Sequence, residues 1–507
     1  MTVHKAVITP KLYTKLPLKT AKNLLNIMKY IVLLISLWYL SIPLNAQKKK
    51  DSPNMETTPK LEARLLSDFK ARQIGPAIMG GRIACLDVYN ANPATFYVGS
   101  AGGGVWKTRN YGTTFKSVFD KYNQSIGAIT IDQNHPDTIW VGTGETWVRN
   151  TVSVGDGIYK STDGGENWVH SGLEKTERIS KIIIHPKNPD IVWVAAPGHL
   201  WNDDENRGIY KTTDGGKTWQ KTLYINPQTG AADLSIDPSN PNILYATTWQ
   251  FRRKAFAFES GGKNSGIYKS IDGGNTWKQL TKGLPEGDMG RIAIAVSPAN
   301  PQRIYATIEC AETALYLSDD AGETWQKKGT NSNIIERPFY FSKLIADPKD
   351  ENTVWRAGLS MVLTTDGGET FTEPINGPHG DHHDLWVDPN NSSNLILGTD
   401  GGVSISFDKG RQWIFLRNLP VSQFYHVDYD MKEPYNVYGG LQDNNSWFGP
   451  SSTYTWSGVQ SKHWDPITGG DGFWVVVDRS NPDYVYAESQ GGNISRFHLP
   501  TKSSQDI

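Results

Sequence analysis

The most chemically loaded stretch of the chain is His379-Gly-Asp381-His382-His383-Asp384, three imidazoles and two carboxylates in six residues. Histidine with carboxylate is the donor set of zinc and other divalent ions, and also of an acid–base cluster. In a loop the same side chains can bond backbone and cap the next strand. Spacing within a loop does not fix ligand geometry, so no metal and no other cofactor is expected. His379, Asp381, His382 and His383 are the candidates should an ion bind. Among the carboxylates, Glu145, Asp384, Asp443 and Asp471 are candidates for a glycosidase pair, one protonating the leaving oxygen and one serving as base or nucleophile. Such a pair stands about 5 Å apart for retention or roughly 6.5–9.5 Å apart for inversion, a distance that sequence does not set. Arg82, Trp147, Trp201, Arg252, Arg253, Gln442 and Asn444 offer planar cations, aromatic faces and amides to a ligand.

These side chains sit between regular repeats. Gly157-Ile-Tyr-Lys-Ser-Thr-Asp163-Gly-Gly-Glu-Asn-Trp168 returns as Gly208-Ile-Tyr-Lys-Thr-Thr-Asp214-Gly-Gly-Lys-Thr-Trp219 and as Gly266-Ile-Tyr-Lys-Ser-Ile-Asp272-Gly-Gly-Asn-Thr-Trp277. Looser copies end at Trp325, Phe371 and Trp413, and a degenerate one runs from Trp106 to Phe115. Each reads as strand, Asp-Gly-Gly turn, strand, because Asp-Gly is a strong hairpin signal and glycine accepts positive φ at no steric cost. The Asp is a turn staple, helped by the Ser or Thr two residues earlier, and the Trp or Phe is an apolar plug.

A second signature precedes each hairpin: an apolar strand, an Asn-Pro-type turn and another strand. It occurs at Pro93, Pro136, Pro189, Pro241 and Pro301, and more weakly at Pro348, Pro389, Pro434 and Pro482. Nine units of four strands, each about 40–60 residues long, predict an all-β fold, a β-propeller of antiparallel blades. A seven-bladed ring over 71–420 is favoured. Residues 421–507 are then further blades of a second or larger ring, and incomplete. Unit eight has only a loose hairpin substitute around Asn444–Trp447. Unit nine stops in a partial third strand from Asn493 and a polar tail from Thr501. In an up-and-down blade the two repetitive turns share one face. The irregular loops share the other, and irregular loops on a rigid scaffold carry function. All the candidates above fall on that second face.

Residues 1–46 hold six lysines and no acid, then an apolar run from Ile31 to Leu44 and Asn45-Ala46. This is the pattern of a secretory signal peptide, and the run is short for a span of about 20 residues. Residues 47–70 read as a polar linker with one short helix near 61–69. Export to the periplasm, cell surface or medium is expected, with no stable membrane span after cleavage. The net charge is −1, and loss of six lysines leaves the remainder acidic, which argues against nucleic acid as a partner. Cys85 and Cys310 are the two cysteines, too few for a disulfide framework or a zinc pattern, and both lie in apolar runs.

The hairpins resemble Asp-box, or bacterial neuraminidase (BNR), repeats. Residues from about 70 to 499 resemble exported bacterial proteins of the sortilin N-terminal-domain, Asp-box propeller group. Ile74-Gly-Pro-Ala-Ile-Met-Gly-Gly-Arg82-Ile, Gly142-Thr-Gly-Glu145, Gly439-Gly-Leu-Gln-Asp443-Asn-Asn and Gly469-Gly-Asp471-Gly-Phe-Trp474 carry the same likeness. The resemblance implies a propeller and relates it, by its repeats, to glycosyl hydrolase and sialidase propellers. A sialidase would open on Phe/Tyr-Arg-Ile-Pro. Here the chain reads Gly81-Arg82-Ile83-Ala84, so no sialidase or xyloglucanase catalytic acid is carried over. The leading expectation is a propeller that binds a peptide, protein or glycan through its irregular face. The alternative is a glycoside hydrolase using the carboxylates there, and the third is a structural or assembly factor.

Overall fold

The computed structural model describes residues 63–507 except Pro76, Ala77, Met79, Asn150, Thr151, Pro374 and Asn376. The leader and most of the linker lie outside the described residues. Of the helix expected near 61–69, Ala63–Leu66 forms a single 3-10 turn. Among the described residues no helix is long and apolar enough to cross a membrane. Residues 73–507 are one compact unit.

That unit is nine antiparallel sheets laid out in sequence order, from Ile83–Val88 to Ser503–Asp506. Seven sheets have four strands, the fourth has five and the sixth has three. The seven hairpins share one turn. Ser161 Oγ donates to Asp163 Oδ1 (2.8 Å), Gly165 N donates to Ser161 Oγ (2.9 Å) and Asn167 N donates to Asp163 Oδ1 (2.9 Å). Asp214 makes the equivalent bonds with Thr212 and Thr218. The degenerate copy keeps the geometry with Asn110 in place of Asp. Gly164 and Gly165 both sit at positive φ, at +73° and +89°, where a side chain would be strained. The aromatic plug reaches the preceding sheet: Trp168 Nε1 donates to Val118 O and Trp219 Nε1 to Ser171 O. Trp168 is buried, while Trp219 and Trp277 are half-buried.

Neighbouring sheets are also joined by first-strand carboxylates. Asp87 accepts from Ile131 N (2.7 Å), Asp233 from Ile294 N (3.2 Å) and Asp428 from Val477 N (2.9 Å). In sheet seven, Asp384 accepts from Leu86 N of sheet one at 3.0 Å. The first strand of sheet seven, His382–Val387, packs on that of sheet one, Ile83–Val88. Their shared core holds Ile83, Leu86, Phe96, Ile396 and Ile405. Sheets eight and nine share a separate core around Tyr438, Val475, Val477 and Val485.

Four expectations about individual strands are corrected. The run 379–384 is not all loop, because His382 onward is strand with His382 and His383 fully buried. Among the described residues sheet six has no fourth strand, and only the isolated bridge of Met361 with Ile375 stands there. Asn444–Trp447 is no hairpin substitute, since it joins the second and third strands of sheet eight and Trp447 lies within Ser446–Pro450. The tail is no tail: Ser503–Asp506 pairs along Ser495–His498 and gives sheet nine its fourth strand. A polar edge strand needs only backbone partners, so no apolar alternation announces it. In sheet four, Leu244–Lys254 runs on into a hairpin with Ala257–Ser260.

Candidate functional site

Arg82 immediately precedes the first strand and is 4% exposed. Its Nε donates to Asp400 Oδ1 at 2.7 Å and its Nη2 to Asp400 Oδ2 at 2.5 Å, a bidentate fork. Its Nη1 meets Glu145 Oε1 at 3.2 Å and its Nη2 lies 3.5 Å from Asp443 Oδ2. Asp400 is also held by His383 Nε2 at 2.6 Å, and Glu145 by both ends of the Arg149 guanidinium at 3.2 and 3.1 Å. Arg149 then donates to Gln442 Oε1 at 2.9 Å. Loops of sheets one, two, seven and eight thus converge on one cation.

The electrostatics follow from burial and from this sharing. Burial opposes ionisation of Asp400, but Arg82 and His383 outweigh it and hold the carboxyl well below the usual range. Asp443, with its side chain 24% exposed, lies beside that fixed negative charge. Burial first, then the Asp400 carboxylate, push it up to about 8. Both effects favour the protonated form of Asp443, the form that can donate a proton. Asp381 is raised in the same way, by burial and then by Asp400.

Asp443 opens onto a cleft of about 460 Å³ lined by Arg149, Arg253, Arg337, Tyr340, Asp381 and Asp471, among others. A second cavity of about 570 Å³ borders the same Arg82–Glu145–Arg149 group and is lined by Gly102, Gly103, Trp201 and Gln423. Asp471 accepts from Asp443 N at 2.6 Å and from Gln490. Asn444 is buried and donates to Asp400 O and Gln442 O, fixing the loop rather than facing the cleft.

Other candidates stand elsewhere. Asp384 pairs with Lys343 at 3.0 Å in a cavity between the first strands of the sheets, away from Asp443. Trp147 is buried, donates to Ala84 O and packs on His383, so it supports the site from behind. Arg252 is ion-paired with Asp203, while Arg253 reaches the cleft. The imidazoles diverge: His379 Nε2 lies 3.3 Å from Asp443 O, His382 Nε2 bonds His379 O, and His383 bonds Asp400. Burial lowers His382 to about 4, so it is neutral at pH 7. Asp381, Asp400 and Asp443 bring carboxylate oxygens within 4.8 Å of one another, a hard-cation donor set, but the Asp400 oxygens are already engaged by Arg82 and His383. The centre of the site, Asp400, and the ring of Tyr340 over Arg82 at 5.9 Å are not among the sequence candidates. Asp400 carried one signal, its Gly-Thr-Asp-Gly-Gly loop on the irregular face.

The Sortilin-Vps10 family (sortilin, neurotensin receptor 3) matches residues 103–223 and 156–282, and the BNR/Asp-box repeat matches 316–327. A xyloglucanase from Paenibacillus sp is 25% identical over 284 residues, 54% of this chain and 21% of that protein. A sialidase from Bacteroides fragilis (strain YCH46) is 23% identical over 316 residues, 56% of this chain and 55% of its own. Matches to the xyloglucanases span 21% to 37% of their lengths. The crystal structure of the Niastella koreensis GH74 enzyme superposes with a TM-score of 0.59 at 16% identity, covering 86% of this chain and 68% of that one. The chain is a β-propeller of BNR/Asp-box repeats. By those repeats it is related to glycosyl hydrolase propellers.

Proposed function

We propose that this is an exported propeller that binds a glycan in the cleft above Arg82, with sheets one to seven forming its ring. The observation that carries the reading is the cleft itself. A partly exposed acid of sheet eight, Arg149 of sheet two, Arg253 of sheet four, and Arg337 and Tyr340 of the connection between sheets five and six converge around a buried ion-pair network. Interlocked buried charge of this kind is expensive to build and rigid once built, which suits a site that must present groups in fixed positions. The xyloglucanase likenesses favour a glycan over a peptide as ligand.

A second reading, hydrolysis, is favoured by Asp443. A carboxyl pushed up to about 8 at the mouth of a cleft is suited to protonate a glycosidic oxygen, with Asp381 or Asp471 as the partner carboxylate. The test is a glycan and peptide array on the chain lacking residues 1–46, beside a reducing-end assay on xyloglucan. Glycan binding without release of ends supports the first reading. Release that disappears in Asp443→Asn, and that falls in the wild type above about pH 8, supports the second. Peptide binding alone would overturn both.

A further inference from the structure

Beside the cleft stand four rings in two stacked pairs. Tyr425 and Phe473 lie 4.8 Å apart and His426 and Trp474 3.6 Å apart, each pair within 12° of parallel. Tyr425 and His426 come from the first strand of sheet eight, Phe424–Tyr429, and the other two from the first strand of sheet nine, Gly472–Val477. Both strands start at the cleft. Asp471, which lines it, directly precedes the second strand. Gln442, which also lines it, donates its N–H to Gln423 O at 3.0 Å, two residues before Tyr425. The Tyr425 phenol is raised by burial, and next by the Asp471 and Asp443 carboxylates.

These rings are not spent on the core. In Gly472–Val477 the core-facing residues Val475 and Val477 are 2% exposed, whereas Trp474 is 54% exposed and Val476 47%. Tyr425 is 38% exposed. A tryptophan on the solvent side of a strand adds little to folding, and Trp474 stays 54% exposed with one face stacked on His426. Flat aromatic faces next to carboxylates and amides match a pyranose ring, which has an apolar C–H face and a rim of hydroxyls.

We propose that Tyr425, Phe473, His426 and Trp474 form a stacking platform for sugar rings of a polymeric glycan whose chain continues into the Asp443 cleft. This rests on the glycan reading of the cleft and adds that the ligand is a chain long enough to cover both, rather than a mono- or disaccharide.

The test is calorimetric titration of the chain with β-1,4-linked glucan and xyloglucan oligosaccharides, from a disaccharide to an octasaccharide, using wild type, Trp474→Ala and Trp474→Phe. Urea midpoints of the variants establish that they fold. Wild-type affinity is expected to rise with length. Trp474→Ala is expected to lose about tenfold for the longest ligand and nothing for the shortest, and Trp474→Phe to retain most of the affinity. If wild type binds the long ligands and Trp474→Ala binds them equally well, the platform is wrong and the cleft reading survives. An equal loss at every length also overturns the platform. If wild type binds no oligosaccharide, the glycan reading of the cleft falls and the platform falls with it.

Discussion

Replacing Arg82 by methionine keeps most of the side-chain volume and removes the cation that Asp400, Glu145 and Asp443 share. Breaking a buried pair by deleting one partner costs about 3–5 kcal/mol, because the remaining charge stays buried without compensation. Glu145 keeps Arg149 and Asp400 keeps His383, so the lower end, about 3 kcal/mol, is expected. Urea denaturation at pH 7 reads this as a lower midpoint at unchanged slope. The pH dependence carries the sharper signature. In the native protein the Asp400 carboxyl is depressed below its ordinary value of 3.8. Its contribution is therefore complete above that value and is lost only as pH falls through the lower folded value. Without Arg82, burial dominates and Asp400 takes up its proton at higher pH. The deficit of the variant should then be full at neutral pH and shrink as the buffer approaches pH 4. Asp400→Asn, alone and combined with Arg82→Met, completes a cycle in which the double variant should be more stable than the sum of the single losses predicts. A loss below about 1 kcal/mol, or strictly additive variants, would refute the claim that this network is a single buried unit.

Trp168→Ala should cost about 3–5 kcal/mol, while Trp219→Ala and Trp277→Ala, half-buried, should cost distinctly less. Equal losses for all three by chemical denaturation would contradict the burial difference. In the box turns Asp163 is lowered to about 2 by hydrogen bonds from Asn167 and Ser161, and Asp214 lower still by Thr218. Depressed carboxyls stabilise fully above their ordinary value and stop doing so as pH falls toward 2. Asp163→Ala should therefore lower the melting temperature at pH 7 and have little effect near pH 2, with ligand affinity unchanged. A loss that is the same at both pH values, measured by calorimetry, would contradict the turn geometry.

What the amino-acid sequence determined by itself is local. The Asp-box turn is a conversation among residues two and four apart, Ser161 with Asp163 and Asp163 with Asn167, so its outcome is written within a few residues. Repetition of that turn, with the Asn-Pro turns between, determined nine sheets of short antiparallel strands and which loops are irregular. Strand ends that rest on backbone pairing alone were not legible, as Ser503–Asp506 and the three strands of sheet six among the described residues demonstrate. The tertiary structure decided the site. Arg82 and Asp400 are 318 residues apart, and Arg82 and Asp443 are 361 apart. Nothing local ties them, and they meet only because sheet seven comes back against sheet one and the loop of sheet eight lies over both. That placement also separated Asp384 from Asp381, three residues away. A strand alternates its side chains between faces, so the loop residue looks onto the cleft while the strand residue pairs with Lys343 in the cavity between the sheets.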